Sequence, residues 1–480
     1  MPQLLKVNDV AWLYAESYRT PMQVGMLATF TLPDDADGSY LTEVVERWRS
    51  VRTFAPPFNY AFRGPLPHWR TLADDEIDLE HHFHHSALPA PGGQRALGVL
   101  VSRLHSQRMD RRYPLWEVHV IEGVAPRKWS LYIKMHHSQV DGVGGLRMAK
   151  RIMSVDPESQ GMLPPWAVGT RGVDQSGVPQ GPRAAPTVTA EEVPRRWQGL
   201  RSVGGSLART YAETLAGSTT WLRAVPYHAP KAAFNGRITA SRRFATQHWE
   251  IDRLRAVATA AGVSINDVFL AATGGGLRRY LTDLGRLPLG SLTASVPVSV
   301  RAEGVDTVGN ALTFLWAKLG TDVGDPVARL EAVTESTRLG KERLPTASST
   351  VMDAYTVLLM LPVLGQAVTG VGGVGPPAFN VVVSNVPGFT EQRYLEGSSL
   401  DEYYPLSLLF HGQGLNITAI SNAGWFCVGY TGARDAVPHL QRIAVGSGQA
   451  LEELEAAYGT AGGAPKAASA VTAVTARRAV

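Results

Sequence analysis

Apolar positions recur along this chain at two periods, and the periods alternate. Helical spacing occupies residues 8 to 18, with Trp12 and Leu13 facing inward, then residues 41 to 53 and the amphipathic stretch Arg95–Met109. Pro21 ends the first of these, and the strand-like run Met26–Leu32 follows. Val118–Gly123 reads as another strand, and Trp129–Lys134 as a half-buried one that leads into Met135, His136 and His137. Helical spacing returns at Leu146, Ala149, Ile152 and Met153, and paired glycines mark the change of period. Past a gap rich in Gly, Pro, Ser and Thr, the pattern resumes with a strand at Arg242–Ile251 and a helix at Ile251–Gly262. A further helix opens at Ser264, where Ser264 and Asp267 have the spacing of a capping box. Strands are predicted at Leu292–Arg301, Ala311–Leu319 and from Ala378, then at Pro405–Gly412, Leu415–Ser421 and Trp425–Thr431. A closing helix spans Val437–Tyr458.

The pattern splits the chain in two. Residues 1–163 form an N-terminal unit, 164–194 a flexible linker, 195–458 a larger C-terminal unit and 459–480 a disordered tail. The 480 residues are 44% hydrophobic and 18% charged, which places the chain among globular proteins with a substantial core. A net charge of +4 without a dense basic cluster argues against nucleic acid as a partner, though it suits anionic head groups or phosphates. The sole cysteine, Cys427, excludes an intramolecular disulfide and agrees with a reducing compartment. No secretory signal is expected from the first residues. Residues 354–390 carry no charge, but Pro362 and Gly365 interrupt their apolar run. A buried or interface-lying helix followed by a core strand is expected there, since a spanning helix needs about 20 apolar residues.

The densest chemistry lies in His136-His137-Ser138-Gln139-Val140-Asp141-Gly142. Neighbours on a strand point to opposite faces, so one histidine can face a cleft while the other packs. Histidine titrates near neutrality and suits proton removal from a hydroxyl or thiol. Asp141 supplies a charge to shape the turn, and Gly142 is expected to adopt a backbone angle that a β-carbon would resist. A metal site ranks below both catalysis and a structural histidine pair, because no partner motif with ligand spacing appears. His81, His82, His84 and His85 are read as a partly solvated cluster, with metal binding well below that. Gly370, Gly372 and Gly375 spell GxGxxG, but they lack the strand before and the helix after that a dinucleotide site needs.

The His-His-Ser-Gln-Val-Asp-Gly run resembles the HHxxxDG motif of the CoA-dependent acyltransferase and condensation-domain superfamily. Five features together resemble bacterial wax ester synthases/acyl-CoA:diacylglycerol acyltransferases. They are Pro114-Leu115-Trp116, the histidine motif, Asn266-Asp267, Ser299-Val300-Arg301 with Gly309-Asn310, and Ser384-Asn385-Val386-Pro387-Gly388. The resemblance covers roughly residues 5–458 apart from the linker. It implies an α/β (α+β) fold of two chloramphenicol-acetyltransferase-like subdomains, mixed sheets with flanking helices, and an active-site tunnel at their interface. It also implies transfer of a long-chain acyl group from acyl-CoA to a fatty alcohol or diacylglycerol, with acyl-CoA as co-substrate and no cofactor. His137 is then the expected base, with His136 and Asp141 beside it and Asp141 structural. Gly142, Asn266, Arg301, Asn310, Ser384 and Asn385 are supporting candidates, and Arg301 either pairs with Asp141 or grips a CoA phosphate. A cytoplasmic location at the inner membrane face or lipid-droplet surface is expected, while the oligomeric state is left open. The alternatives are a condensation-type acyltransferase using a carrier-bound donor and a non-catalytic lipid-binding protein.

Overall fold

A computed structural model describes residues 3–4, 7–64, 68–170, 205, 212, 224, 226–299, 312–344 and 349–460. Two six-stranded sheets dominate it. Strands are numbered along the chain: β1 Gln3–Leu4, β2 Gln23–Thr31, β3 Tyr60–Arg63, β4 His68–Thr71, β5 Phe83–Ala87, β6 Trp116–Ala125, β7 Lys128–His136, β8 Arg242–Glu250, β9 Thr293–Ser299, β10 Leu312–Lys318, β11 Val381–Phe389, β12 Tyr394–Leu395, β13 Ser398–Leu406, β14 Leu415–Asn422 and β15 Trp425–Ala433. The first sheet runs β12-β13-β2-β7-β6-β5 and the second β10-β9-β11-β14-β15-β8, with β1, β4 and β3 in a small third sheet. Both large sheets are mixed. β5 lies parallel to β6, and β11 lies parallel to both β9 and β14.

β7 is central because nearly every residue of Lys-Trp-Ser-Leu-Tyr-Ile-Lys-Met-His is buried. Trp129, Leu131, Ile133 and Met135 join the first core with Trp48, Trp116 and Trp166. The alternate residues Ser130, Tyr132, Lys134 and His136 fall on the opposite face, so that face carries polar groups inside the protein. A second core forms around Trp249, Phe269, Tyr280, Phe426 and Tyr430.

The strand expected at Pro405–Gly412 is instead the end of β13, which stops at Leu406, and two boundaries also differ from the sequence reading. Residues 164–170 are not linker: Pro165 opens the short helix Pro165–Val168, and Trp166 is fully buried with its indole N–H donating to the Val51 carbonyl. Proline suits the first turn of a helix as well as a loop, so composition alone misassigns this step. The remainder of the expected linker, residues 171–194, lies outside the described residues, as does the expected tail beyond Thr460. Residues 394–406 are not confined to the second lobe either. β13 pairs antiparallel with β2, placing Tyr403 opposite Ala28, so the far half of the chain completes the first sheet.

Candidate active site

β7 delivers His136 as its last residue, and backbone groups fix both histidines. The His136 amide donates to the Leu115 carbonyl at 3.0 Å, and the His137 amide donates to the Met22 carbonyl at 2.9 Å. Leu115 belongs to the Pro-Leu-Trp step and Met22 directly follows Pro21, so these two segments act as brackets for the histidine pair.

His136 has no exposed surface. Its Nδ1 accepts the Ser138 amide at 3.2 Å and lies 2.7 Å from the Ser138 hydroxyl, which fixes the ring proton on Nε2. Nε2 faces Glu16 Oε1 at 3.7 Å. The Glu16 carboxylate is itself buried and held by Arg108 at 3.2 Å and Arg111 at 3.0 Å. Burial, then the charges of Arg111, His137 and Arg108, push His136 down to about 3. Its Nε2 makes no hydrogen bond, but the ring is neutral and without exposed surface, so no edge is open to a substrate.

His137 differs. It is half-buried, and its ring packs on Trp12 with centroids 4.8 Å apart at 32°. Burial lowers its pKa. A hydrogen bond to its own backbone carbonyl and the nearby Asp141 charge oppose that shift without cancelling it. The ring is therefore neutral at pH 7. With one nitrogen donating to the carbonyl, the other keeps a lone pair.

Asp141 caps the helix Gly142–Ile152, accepting the Gly144 amide at 2.7 Å. Gly142 is not in a left-handed conformation, contrary to the sequence expectation. It is the first helical residue, and a β-carbon there would sit 3.8 Å from Val386 Cγ2. The crowded glycine is Gly144, where a β-carbon would approach Asp141 Oδ1 at 3.1 Å. The Gly142 contact places the end of β11 against the histidine turn, with half-buried Ser384 and exposed Asn385 next to Val386. Ser384 lies opposite Thr418 and Asn385 opposite Ala419 on β14.

Asn266 is the second residue of the helix Ile265–Asp283 and makes no hydrogen bond to the histidine turn among the described residues. Its neighbour Asp267 completes the capping box with Ser264 and accepts Thr337 Oγ1 at 2.7 Å. Arg301 and Asn310 lie outside the described residues. Cys427 is buried in β15, and burial pushes its thiol up to about 12, which removes it as a nucleophile. Glu16, Arg108 and Arg111 were not singled out in the sequence, and Trp12 was read only as an inward-facing helix residue. The available signal was the four-residue step from Trp12 to Glu16, which places both on one side of a helical turn.

Comparison with known proteins follows the same outline. Residues 5–269 match the family model of the wax ester synthase/diacylglycerol acyltransferase catalytic domain, and residues 308–455 match that of the WS/DGAT C-terminal domain. A putative diacylglycerol O-acyltransferase of Mycobacterium tuberculosis is 42% identical over 490 residues, covering 95% of this chain and 97% of that protein. The solved wax ester synthase/diacylglycerol acyltransferase from Marinobacter aquaeolei VT8 is 33% identical with a TM-score of 0.74, covering 96% of this chain and 100% of that one. The starter condensation domain of rhizomide synthetase shares the fold at 14% identity, with a TM-score of 0.52 over 96% of this chain and 95% of that one.

Proposed function

This chain belongs to the wax ester synthase/diacylglycerol acyltransferase family, and from that premise we propose that His137 is the general base of its reaction. The enzyme is an O-acyltransferase that moves an acyl group from acyl-CoA to a fatty alcohol or diacylglycerol. The observation that carries the assignment is the contrast between the two rings: His136 is sealed, while His137 keeps a lone pair on a half-buried ring. His137 takes the proton of the acceptor hydroxyl as its oxygen attacks the thioester carbonyl. The tetrahedral intermediate then expels the CoA sulfur, which receives that proton from the imidazolium. The alcohol oxygen gains the acyl group and CoA leaves as the thiol. Asp141 holds the turn and moves no proton. Ser384 and Asn385, beside the Val386 contact, orient the substrate or donate to the developing oxyanion.

Base catalysis of this kind is worth about 10²–10⁴-fold. His137→Ala should lose that much in a thiol-release assay with palmitoyl-CoA and either hexadecanol or diacylglycerol, while its circular dichroism stays unchanged. A folded variant with normal acyl transfer refutes the assignment.

The reading extends to a lipid surface. The helix Ser349–Thr369 and its following loop expose Leu361, Val368, Val371 and Val374 within a stretch devoid of charge. Leu361 and Val368 are seven residues apart and share a helix face. Among the described residues no single helix is long and apolar enough to cross a membrane. An apolar stripe of this kind instead suits shallow insertion, where diacylglycerol and long-chain alcohols reside. Wild type should float with phospholipid vesicles and Leu361→Asp/Val368→Asp should not. A wild type that stays in the aqueous fraction overturns this extension and leaves the chemistry untouched.

A further inference from the structure

We propose that His84, Glu117 and His119 form a binding site for one divalent transition-metal ion, zinc by the character of its ligands. The four histidines of residues 81–85 do not act together. His81 stacks on Tyr113 at 3.8 Å, His82 Nδ1 lies 2.8 Å from the Trp116 carbonyl, and His85 pairs with Glu122. His84 alone faces a different set of partners. Parallel pairing of β5 and β6 sets it directly opposite His119, and Glu117 lies two residues earlier on the same face. One ligand atom from each of the three falls within 4.8 Å of the others. The His84 and His119 rings stack at 4.6 Å.

The chemistry of the three groups fits an ion. His84 is half-buried and His119 buried, and imidazole is the commonest metal-ligating side chain. Two imidazoles and one carboxylate, with a water in the fourth position, make a familiar zinc set. A tetrahedral ion holds its ligands about 3.3 Å apart, given metal–ligand distances of about 2.0–2.2 Å. Side-chain rotation of the half-buried His84 and Glu117 closes the remaining gap. Access comes from the surface: His84 lines a cavity of about 490 Å³ with Arg49, Arg52, Glu80 and His85.

Two contacts compete for Glu117 Oε2: the Lys134 ammonium at 2.8 Å and the His119 Nε2–H at 3.1 Å, which leaves the lone pair of the His119 ring on Nδ1. Glu117 keeps that oxygen on Lys134 and offers Oε1 to the ion. The bound ion would pin the edge strand β5 to β6, and Glu117 of β6 lies opposite Lys134 on β7, the strand that ends in His136.

The test uses the purified full-length chain, stripped with a chelator and titrated with zinc against a chromogenic competitor. One zinc should bind per chain, and His84→Ala, an edge-strand change that leaves both cores intact, should weaken it at least tenfold. Cobalt(II) in place of zinc should give the visible absorption of a four- or five-coordinate site in wild type and not in His84→Ala. Zinc should raise the thermal midpoint of wild type alone. Absence of bound zinc, or equal zinc affinity in wild type and His84→Ala, overturns the proposal.

Discussion

Lys134 offers the sharpest test of how β7 is held. Its side chain has no exposed surface, yet its ammonium meets Glu117 Oε2 at 2.8 Å and the carbonyls of Leu104 and Gln107 at 3.2 Å each. All three N–H donors are used, and the two carbonyls lie at the C-terminal end of the helix Gln94–Ser106, where a positive charge is favoured. Lys134→Met keeps the length and removes the charge. Breaking a buried pair from one side costs about 3–5 kcal/mol. The Glu117 side chain is 18% exposed and regains some water, so the lower end, about 3 kcal/mol, applies. With a urea m-value of about 3 kcal/mol/M, the first unfolding midpoint should drop by roughly 1 M at pH 7. The pH dependence follows from Glu117. Burial works against its carboxylate, but the hydrogen bond from His119 and the charge of Lys134 overcome it and pull the group down to about 2. A folded pKa below the ordinary 4.5 gives stability that is full above 4.5 and lost as the pH falls toward 2. Removing Lys134 removes part of that stability, so the gap between variant and wild type should narrow below pH 4.5. Adding Glu117→Gln to Lys134→Met should recover part of the loss. Urea titrations followed by tryptophan fluorescence at pH 7 and pH 4, in the presence of chelator, measure all of this. An unchanged midpoint at pH 7, or a gap that widens in acid, refutes the reasoning.

Other outcomes follow from the same geometry. Because burial lowers the His137 pKa, the acid limb of kcat/KM should lie below pH 6.5, and Asp141→Asn, which removes a charge that raises that pKa, should shift the limb lower still. Asn also caps helices, so Asp141→Asn should stay near wild-type stability while Asp141→Ala loses about 1 kcal/mol in a thermal melt. Trp12→Ala removes the ring packed on His137 and should lower kcat by about 3- to 10-fold, the equivalent of roughly 0.5–1.5 kcal/mol of aromatic contact. Gly142→Ala should be tolerated, whereas Gly388→Ala should lower the melting temperature sharply, since its β-carbon would meet the Ser421 carbonyl oxygen at 1.9 Å.

Local features were legible in the sequence, and features built by distant contacts were not. β7 and the capping box at Ser264 depend on residues a few positions apart, and periodicity finds them. The histidine pair was found because its residue types are crowded into one turn. Its support is not local: Glu16, Met22 and Leu115 reach His136 and His137 from three separate segments, and no spacing rule links them. Trp166 was lost to a proline-rich composition that serves a loop and a helix start equally. Gly142 was misjudged because a glycine at the first helical position needs no unusual angle, and the nearby capping carboxylate crowds Gly144 instead. The grouping of His84 with Glu117 and His119 required the parallel register of β5 on β6, which is a fact of topology.

The passage of β12 and β13 into the opposite sheet has a bearing on how proteins of this design can be recombined. A chimera joined at the Pro- and Gly-rich segment after residue 170 would inherit its first sheet from two parents, because Tyr403 and Leu406 would come from one and Ala28 and Gly25 from the other. A graft that is to change the second lobe alone must therefore leave residues 394–406 with the recipient. The two lobes are stitched, and exchange between relatives has to respect the stitch.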